Sequence, residues 1–373
     1  MKKWLSILLA LALTFSMAAC ENSIAPKTDT VPQSTEKTET DNTASLAEES
    51  ESESEKTGND EQTTYPITLT DQLGREVTIE EEPQTLVSGY YISTSLLLAL
   101  GCGDRLTGVE ARAGSRAIYH LSAPGLTDLP SVGSAKEFDL EGCAALNPDL
   151  VVVPVRLKDS IAALEDLGLT VLAVNPEDQT LLTEAALLLG KATNTLSKAN
   201  SLIRFQEEEL SLLKEALSGA DTPSVYLASN SSLLSAAGSE MYQNTLITNA
   251  GGTNAAAELT DDYWAEISYE QLLAWDPEYI ILAADAEYTV DSVINDPSLT
   301  ECRAVKEGNV FQLPNAIESW DSPVPGSILG SLWLACILHP QEYPESEWKE
   351  TATRFYETFY GFTPDFTNLY AQE

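Results

Sequence analysis

Side chains able to do chemistry are thinly spread along this chain. It carries two histidines, His120 and His339, against 58 acidic and 20 basic residues. Two histidines cannot build a three-histidine zinc or manganese site. No Asp-x-Asp-x-Asp-Gly loop offers a calcium cage. A Gly-x-Ser-x-Gly elbow, a phosphate loop and a His-Glu-x-x-His helix are also missing. The acids Glu318 and Asp321 have the residue types of a glycosidase pair, so an extracellular hydrolase is one reading. Scarce histidine weighs against it, because it removes the commonest general base. The remaining chemistry is recognition. Tyr90, Tyr91, Trp264, Tyr288 and Trp320 offer rings for stacking on a flat or greasy ligand. Arg156 and Lys136, with Arg112 and Arg116 ranked behind them, offer contacts to carboxylate or oxyanion groups. Asn230, Glu318, Asp285, Glu287 and Asp321 offer polar contacts. No catalytic residue, cofactor or resident metal is expected; a metal would arrive inside a chelate or as an oxyanion.

These residues gain meaning from the elements that must hold them. One motif occurs twice. Glu141 to Val153, with Asn147-Pro148-Asp149 at its centre, is echoed by Glu270 to Leu282, with Asp276-Pro277-Glu278. Each copy reads as a helix, a stop at the residue before proline, and an apolar strand covered on both faces. Two copies this far apart predict two similar α/β lobes with a cleft between them. Core strands are predicted at 84–88, 106–109, 150–153 and 171–174 in the first lobe, after a hairpin over 66–79. In the second they fall at 224–228, 279–282 and 310–313. Between the lobes, 180–217 keeps helical periodicity as one long helix or two consecutive ones, with Gly190 as an interruption. Terminal helices are predicted at 328–338 and 345–359. Ligands of open α/β sheets sit beyond the carboxyl ends of the strands. That rule selects the loops carrying Tyr90 and Tyr91, Arg156, Asn230, Tyr288, and Glu318 with Trp320. Lys136 and Trp264 lie between elements.

The N-terminus reads as an export signal. Lys2 and Lys3 precede an apolar stretch, and Ala18-Ala19-Cys20 forms a lipobox-like cleavage site. Residues 1–19 are read as signal peptide and Cys20 as the lipidated N-terminus of the mature chain. Residues 20–64 are rich in Thr, Ser, Glu and Asp and form a disordered acidic linker, reaching on the order of 35–40 Å. The head then divides into 65–179, a connecting helix over 180–219, and 220–373. A net charge of −38 offers no basic stripe for nucleic acid and no attraction to anionic lipid. Contact with a membrane is expected through the lipid anchor alone. Cys102, Cys143, Cys302 and Cys336 read mainly as small buried hydrophobes, with one pairing inside a lobe left open.

Several phrases together resemble a known family. They are Thr70-Asp71-Gln72-Leu73-Gly74-Arg75-Glu76-Val77-Thr78-Ile79, Leu98-Ala99-Leu100-Gly101-Cys102-Gly103-Asp104-Arg105-Leu106, Val132-Gly133-Ser134 and both Pro-Asp/Glu strands. In this order they resemble substrate-binding proteins of ABC importers for iron-siderophores, haem and vitamin B12. The resemblance implies an α/β fold of two lobes joined by one long helix, a ligand in the cleft and modest closure. It implies a monomer that delivers a metal chelate to an ABC permease and its ATPase, and performs no chemistry. An iron-siderophore is the first expectation, haem or a corrinoid the next, and an oxyanion such as molybdate the alternative. The family's first helix carries a permease-facing acid, and the matching stretch here places Ser95 at that position. Glu270 is the expected docking acid of the second lobe.

Overall fold

The computed structural model describes residues 62–261 and 263–370. The signal segment, Cys20 and nearly all of the linker lie outside the described residues. The first lobe starts with an antiparallel hairpin, β1 (Ile67–Thr70) and β2 (Glu76–Ile79), with Ile67 opposite Ile79. Its turn is fixed by Asp71, which accepts from the backbone of Leu73 and Arg75 and pairs with the Arg75 guanidinium. Then come β3 (Leu86–Ser88), α1 (Tyr91–Ala99), β4 (Leu106–Gly108) and α2 (Ala117–Ser122). They are followed by α3 (Leu140–Ala145), β5 (Leu150–Pro154), α4 (Lys158–Asp166), β6 (Val171–Val174) and α5 (Gln179–Ala192). The four core strands form a parallel sheet in the order β4-β3-β5-β6. Every residue of β5 and β6 is buried, as a parallel sheet covered on both faces requires.

After α6 (Leu196–Ala216) the second lobe follows with β7 (Ser224–Ala228), β8 (Ser235–Ala236), α7 (Tyr242–Asn249), β9 (Thr253–Asn254) and β10 (Ala265–Glu266). Next are α8 (Tyr269–Trp275), β11 (Tyr279–Leu282), α9 (Val290–Ile294), α10 (Arg303–Glu307) and β12 (Val310–Gln312). The chain finishes with α11 (Ile328–Leu338) and α12 (Glu345–Phe359). The sheet order is β10-β8-β7-β11-β12, with β9 also on β7. The two sheets are separate. One apolar cluster runs from Leu86 and Leu96 of the first lobe to Leu332, Phe355 and Tyr360 of the second, while two smaller clusters fill the outer sides of the sheets. Helix α11 is apolar all round and ten of its eleven residues are buried, the pattern of a helix enclosed on every side.

The duplicated motif occupies matching places, α3-β5 and α8-β11. Asn147 and Asp276 each stop the helix in the left-handed region, at φ 44 in both. This departs from the extended exit expected before proline; short polar side chains tolerate the left-handed turn. The acid after the proline also repeats its contact. The Asp149 carboxylate accepts from the Thr85 amide at 2.8 Å, and that of Glu278 from the Ser224 amide at 3.4 Å. Each copy thus ties its strand to the start of the neighbouring one.

Of the two readings of 180–217, the structure shows two consecutive helices, α5 and α6, in place of a single connecting helix over 180–219. Helix α5 packs back on the first lobe, and the chain reverses at Asn194, whose φ is 59. Gln179 at the start of α5 reaches Gln206 near the middle of α6, so the two helices run antiparallel. Gly190 is no break. A Cβ there would lie 2.9 Å from the Ala199 Cβ, so glycine lets the two helices approach closely. The spine is α6 alone. The four described cysteines are buried free thiols. No helix among the described residues is long and apolar enough to cross a membrane.

Candidate functional site

The loops beyond the carboxyl ends of both sheets meet around a cavity of about 250 Å³. The first lobe contributes Tyr91 and Ser95 of α1, and Arg116, Ile118 and Tyr119 at α2. The second contributes Asp285 after β11, and Glu318, Ser319, Ser322 and Val324 after β12. A polar recess of about 160 Å³ adjoins it, sharing Asp285 and Ser322 and adding Asn230, Gln243, Trp264 and Asp321.

The first-lobe wall is built on Glu110. This buried carboxylate accepts from the Thr94 hydroxyl at 2.6 Å and the Tyr119 hydroxyl at 2.8 Å. Arg116 Nε lies 3.3 Å from Glu110 Oε1, and its guanidinium carbon lies 4.3 Å from the Tyr91 ring centroid. Cation–π stacking and the nearby charge together fix this arginine. Its Nε is buried without a hydrogen-bond partner. Arg156 stacks in the same manner on Tyr90, at 4.5 Å. The two tyrosine rings meet edge to face with centroids 5.1 Å apart. Burial raises the Tyr91 phenol above its ordinary value, so it is a neutral donor at any physiological pH.

The second-lobe wall is acidic. Burial pushes the Glu318 carboxyl up to about 7, opposed by a hydrogen bond from Tyr356 and the charge of Arg116. Asp321 is likewise pushed up to about 6 by burial, against a 2.8 Å bond from the Ala284 amide. Asp285 is exposed and accepts from Ser319 Oγ at 2.7 Å. Gly326 allows the close seat of Glu318: a Cβ there would stand 2.1 Å from its Oε1.

Direct bonds link the walls. Ser95 Oγ lies 2.8 Å from the Tyr360 hydroxyl, the Ile118 amide donates to the Ile317 carbonyl, and Gln206 of α6 donates to the Pro325 carbonyl. The expected residues therefore separate into groups. Tyr91 and Glu318 line the main cavity, and Asn230 and Trp264 the recess. Tyr90 is buried behind Arg156 and lines neither. Lys136 is exposed in the turn after Ser134. Tyr288 packs on the second-lobe core and donates to the Ser229 carbonyl. Trp320 is core: it is 2% exposed, donates to the Tyr356 hydroxyl and packs edge-on against Trp348. Its setting in a proline-rich loop hides a burial that no periodicity announces. Sequence reasoning ranked Arg116 too low and missed Tyr119, Gln243, Ser319 and Ser322 as lining residues. Helix α2, which carries Tyr119, is too short to produce a readable apolar period.

The position that the resemblance gives to a first-lobe docking acid lies inside the cleft. Ser95 is 3% exposed and faces the cavity. Glu270, by contrast, is exposed in the first turn of α8. Its carboxyl is held below the usual range by its own backbone amide and by Ser268.

Two sheets flanked by helices, a helical spine and a polar cleft define a solute-binding protein of the two-lobed type. Residues 86–317 match the model of the periplasmic binding protein family, and the chain belongs to that family. The molybdate-binding protein MolA of Haemophilus influenzae is 24% identical over 328 residues, covering 80% of this chain and 92% of MolA. An uncharacterized ABC transporter substrate-binding lipoprotein of Bacillus subtilis, YvrC, is 24% identical over 290 residues, with 75% and 88% covered. A periplasmic solute-binding protein of Veillonella parvula superposes with a TM-score of 0.72 at 24% identity, covering 81% of this chain and 94% of that one. The chain is thus an extracytoplasmic solute-binding protein of ABC importers, which bind their substrates without altering them.

Proposed function

We propose that this chain is a receptor, anchored by lipid at Cys20, that captures a metal chelate between its lobes and hands it to an ABC permease. The observation that carries the reading is the polar cavity of about 250 Å³ walled by both lobes. Among the described residues no group of three or more His, Cys, Asp or Glu is placed to hold a bare metal ion, which favours a metal already wrapped by its own ligands. Iron chelates head the expectation. An oxyanion is the second reading, favoured by the likeness to MolA and by Arg116 at the cavity wall. The duplicated motif supplies the docking surface. Glu270 stands at the start of one copy, and the same step of the other copy is Glu141, also exposed on its helix. The test is to purify the protein from its native host and examine it by native mass spectrometry and absorbance. A bound chelate and a diacylglyceryl mass on Cys20 are expected. A chain that retains Ala18 and Ala19 refutes the anchor, and turnover of a supplied chelate refutes the receptor.

A further inference from the structure

The two walls of the cavity differ in kind, and that difference restricts the cargo. None of the five N–H groups of the Arg116 side chain makes a hydrogen bond among the described residues, although Tyr91 and Glu110 hold the guanidinium in place. A fixed guanidinium with unused donors suits a carboxylate edge. Opposite it stand Asp285 and Glu318, whose oxygens can only accept while ionised. Glu318 lies close enough for the charge of Arg116 to lower its proton affinity, so the donor wall and the acceptor wall belong to one enclosure. A fully anionic cargo would meet Arg116 well and Asp285 badly. A cargo with carboxylate on one side and N–H groups on the other meets both. Size restricts the choice further. The cavity and its adjoining recess, at about 250 and 160 Å³, together sit at the lower end of the roughly 300–1,000 Å³ of pockets for drug-sized ligands.

We propose that the cargo is compact and dipolar, a metal chelated by amino-acid-like ligands, with its carboxylate edge on Arg116 and its N–H edge on Asp285 and Glu318. This rests on the reading of the interlobe cavity as the solute site.

Isothermal titration of the purified protein with nickel bis-histidine, molybdate, cyanocobalamin and haemin tests it. Saturable binding of nickel bis-histidine is expected. Arg116→Gln should weaken it at least about tenfold and Asp285→Asn at least about threefold. Arg116→Lys, which keeps the charge, should fall between parent and Arg116→Gln. Thermal melts of each variant separate lost binding from lost folding, and the exposed Asp285 supplies the variant least able to disturb the fold. The sign at Asp285 is decisive. Molybdate binding that tightens in Asp285→Asn would overturn the dipolar cargo in favour of an oxyanion. Tighter binding of cyanocobalamin or haemin than of the chelate would overturn its compactness. Either result leaves the receptor intact. Failure of nickel bis-histidine to bind to folded protein would overturn the proposal, while the receptor reading is decided separately by what the protein carries when purified from its native host.

Discussion

Glu318 shows at the scale of one residue how the site sets a cost on the fold. Burial raises its carboxyl from the usual 4.5 to about 7, and that of Asp321 from 3.8 to about 6. Over this window the folded chain retains protons that the unfolded chain has released. The fold therefore carries no penalty from these groups below about pH 4 and loses stability as pH rises towards 7. Glu318→Gln should flatten that loss, by an effect on the order of 2 kcal/mol between pH 5 and 8. Superimposable stability profiles for parent and variant, measured by urea unfolding, would refute the assignment. Residue identity was legible in the sequence only where chain position decided the contact. Tyr91 and Glu318 follow core strands, and the structure brings both to the cavity. Arg116 depends on a ring and a buried acid from other elements, Tyr91 and Glu110, and local sequence carries no trace of such a meeting.

Elements were more legible than side chains. The strands 171–174, 224–228 and 279–282 and the helices 328–338 and 345–359 fall where periodicity and proline place them. The two-residue strands β8, β9 and β10 gave no signal, since alternation needs at least four residues to show. The reversal between α5 and α6 was missed because its apolar spacing continues across the turn. Its marker was Asn194, which accepts from the Thr63 amide and donates to Glu82. The stops of the duplicated motif are open to test at this scale. Asn147→Gly should change stability by less than about 0.5 kcal/mol, because glycine adopts positive φ freely. Asn147→Ala should cost about 1 kcal/mol. Equal urea midpoints for the two variants would show that the left-handed stop is not retained in solution.

The whole molecule combines two separate sheets with one shared apolar core. That core, and the bonds from Ser95 to Tyr360 and from Ile118 to Ile317, limit how far the lobes can part. The duplicated helix starts provide the test of delivery. Glu141→Lys and Glu270→Lys should each lower uptake by a reconstituted importer at least about tenfold, through like-charge contact with a cationic permease surface. Solute affinity should stay unchanged, since neither acid lines the cavity. Normal uptake by the double variant would refute the docking pair. The broad architecture was legible because the motif occurs twice and because the chain resembles a known family. The relative setting of the lobes was not, because it depends on how α5 folds back. With α6 as the sole covalent passage from one sheet to the other, each wall of the cleft is encoded by one uninterrupted stretch of gene. A single recombination within the codons for Leu196–Ala216 would exchange the donor half or the acceptor half entire, so new cargo specificities can arise by shuffling halves whose shared-core side chains match.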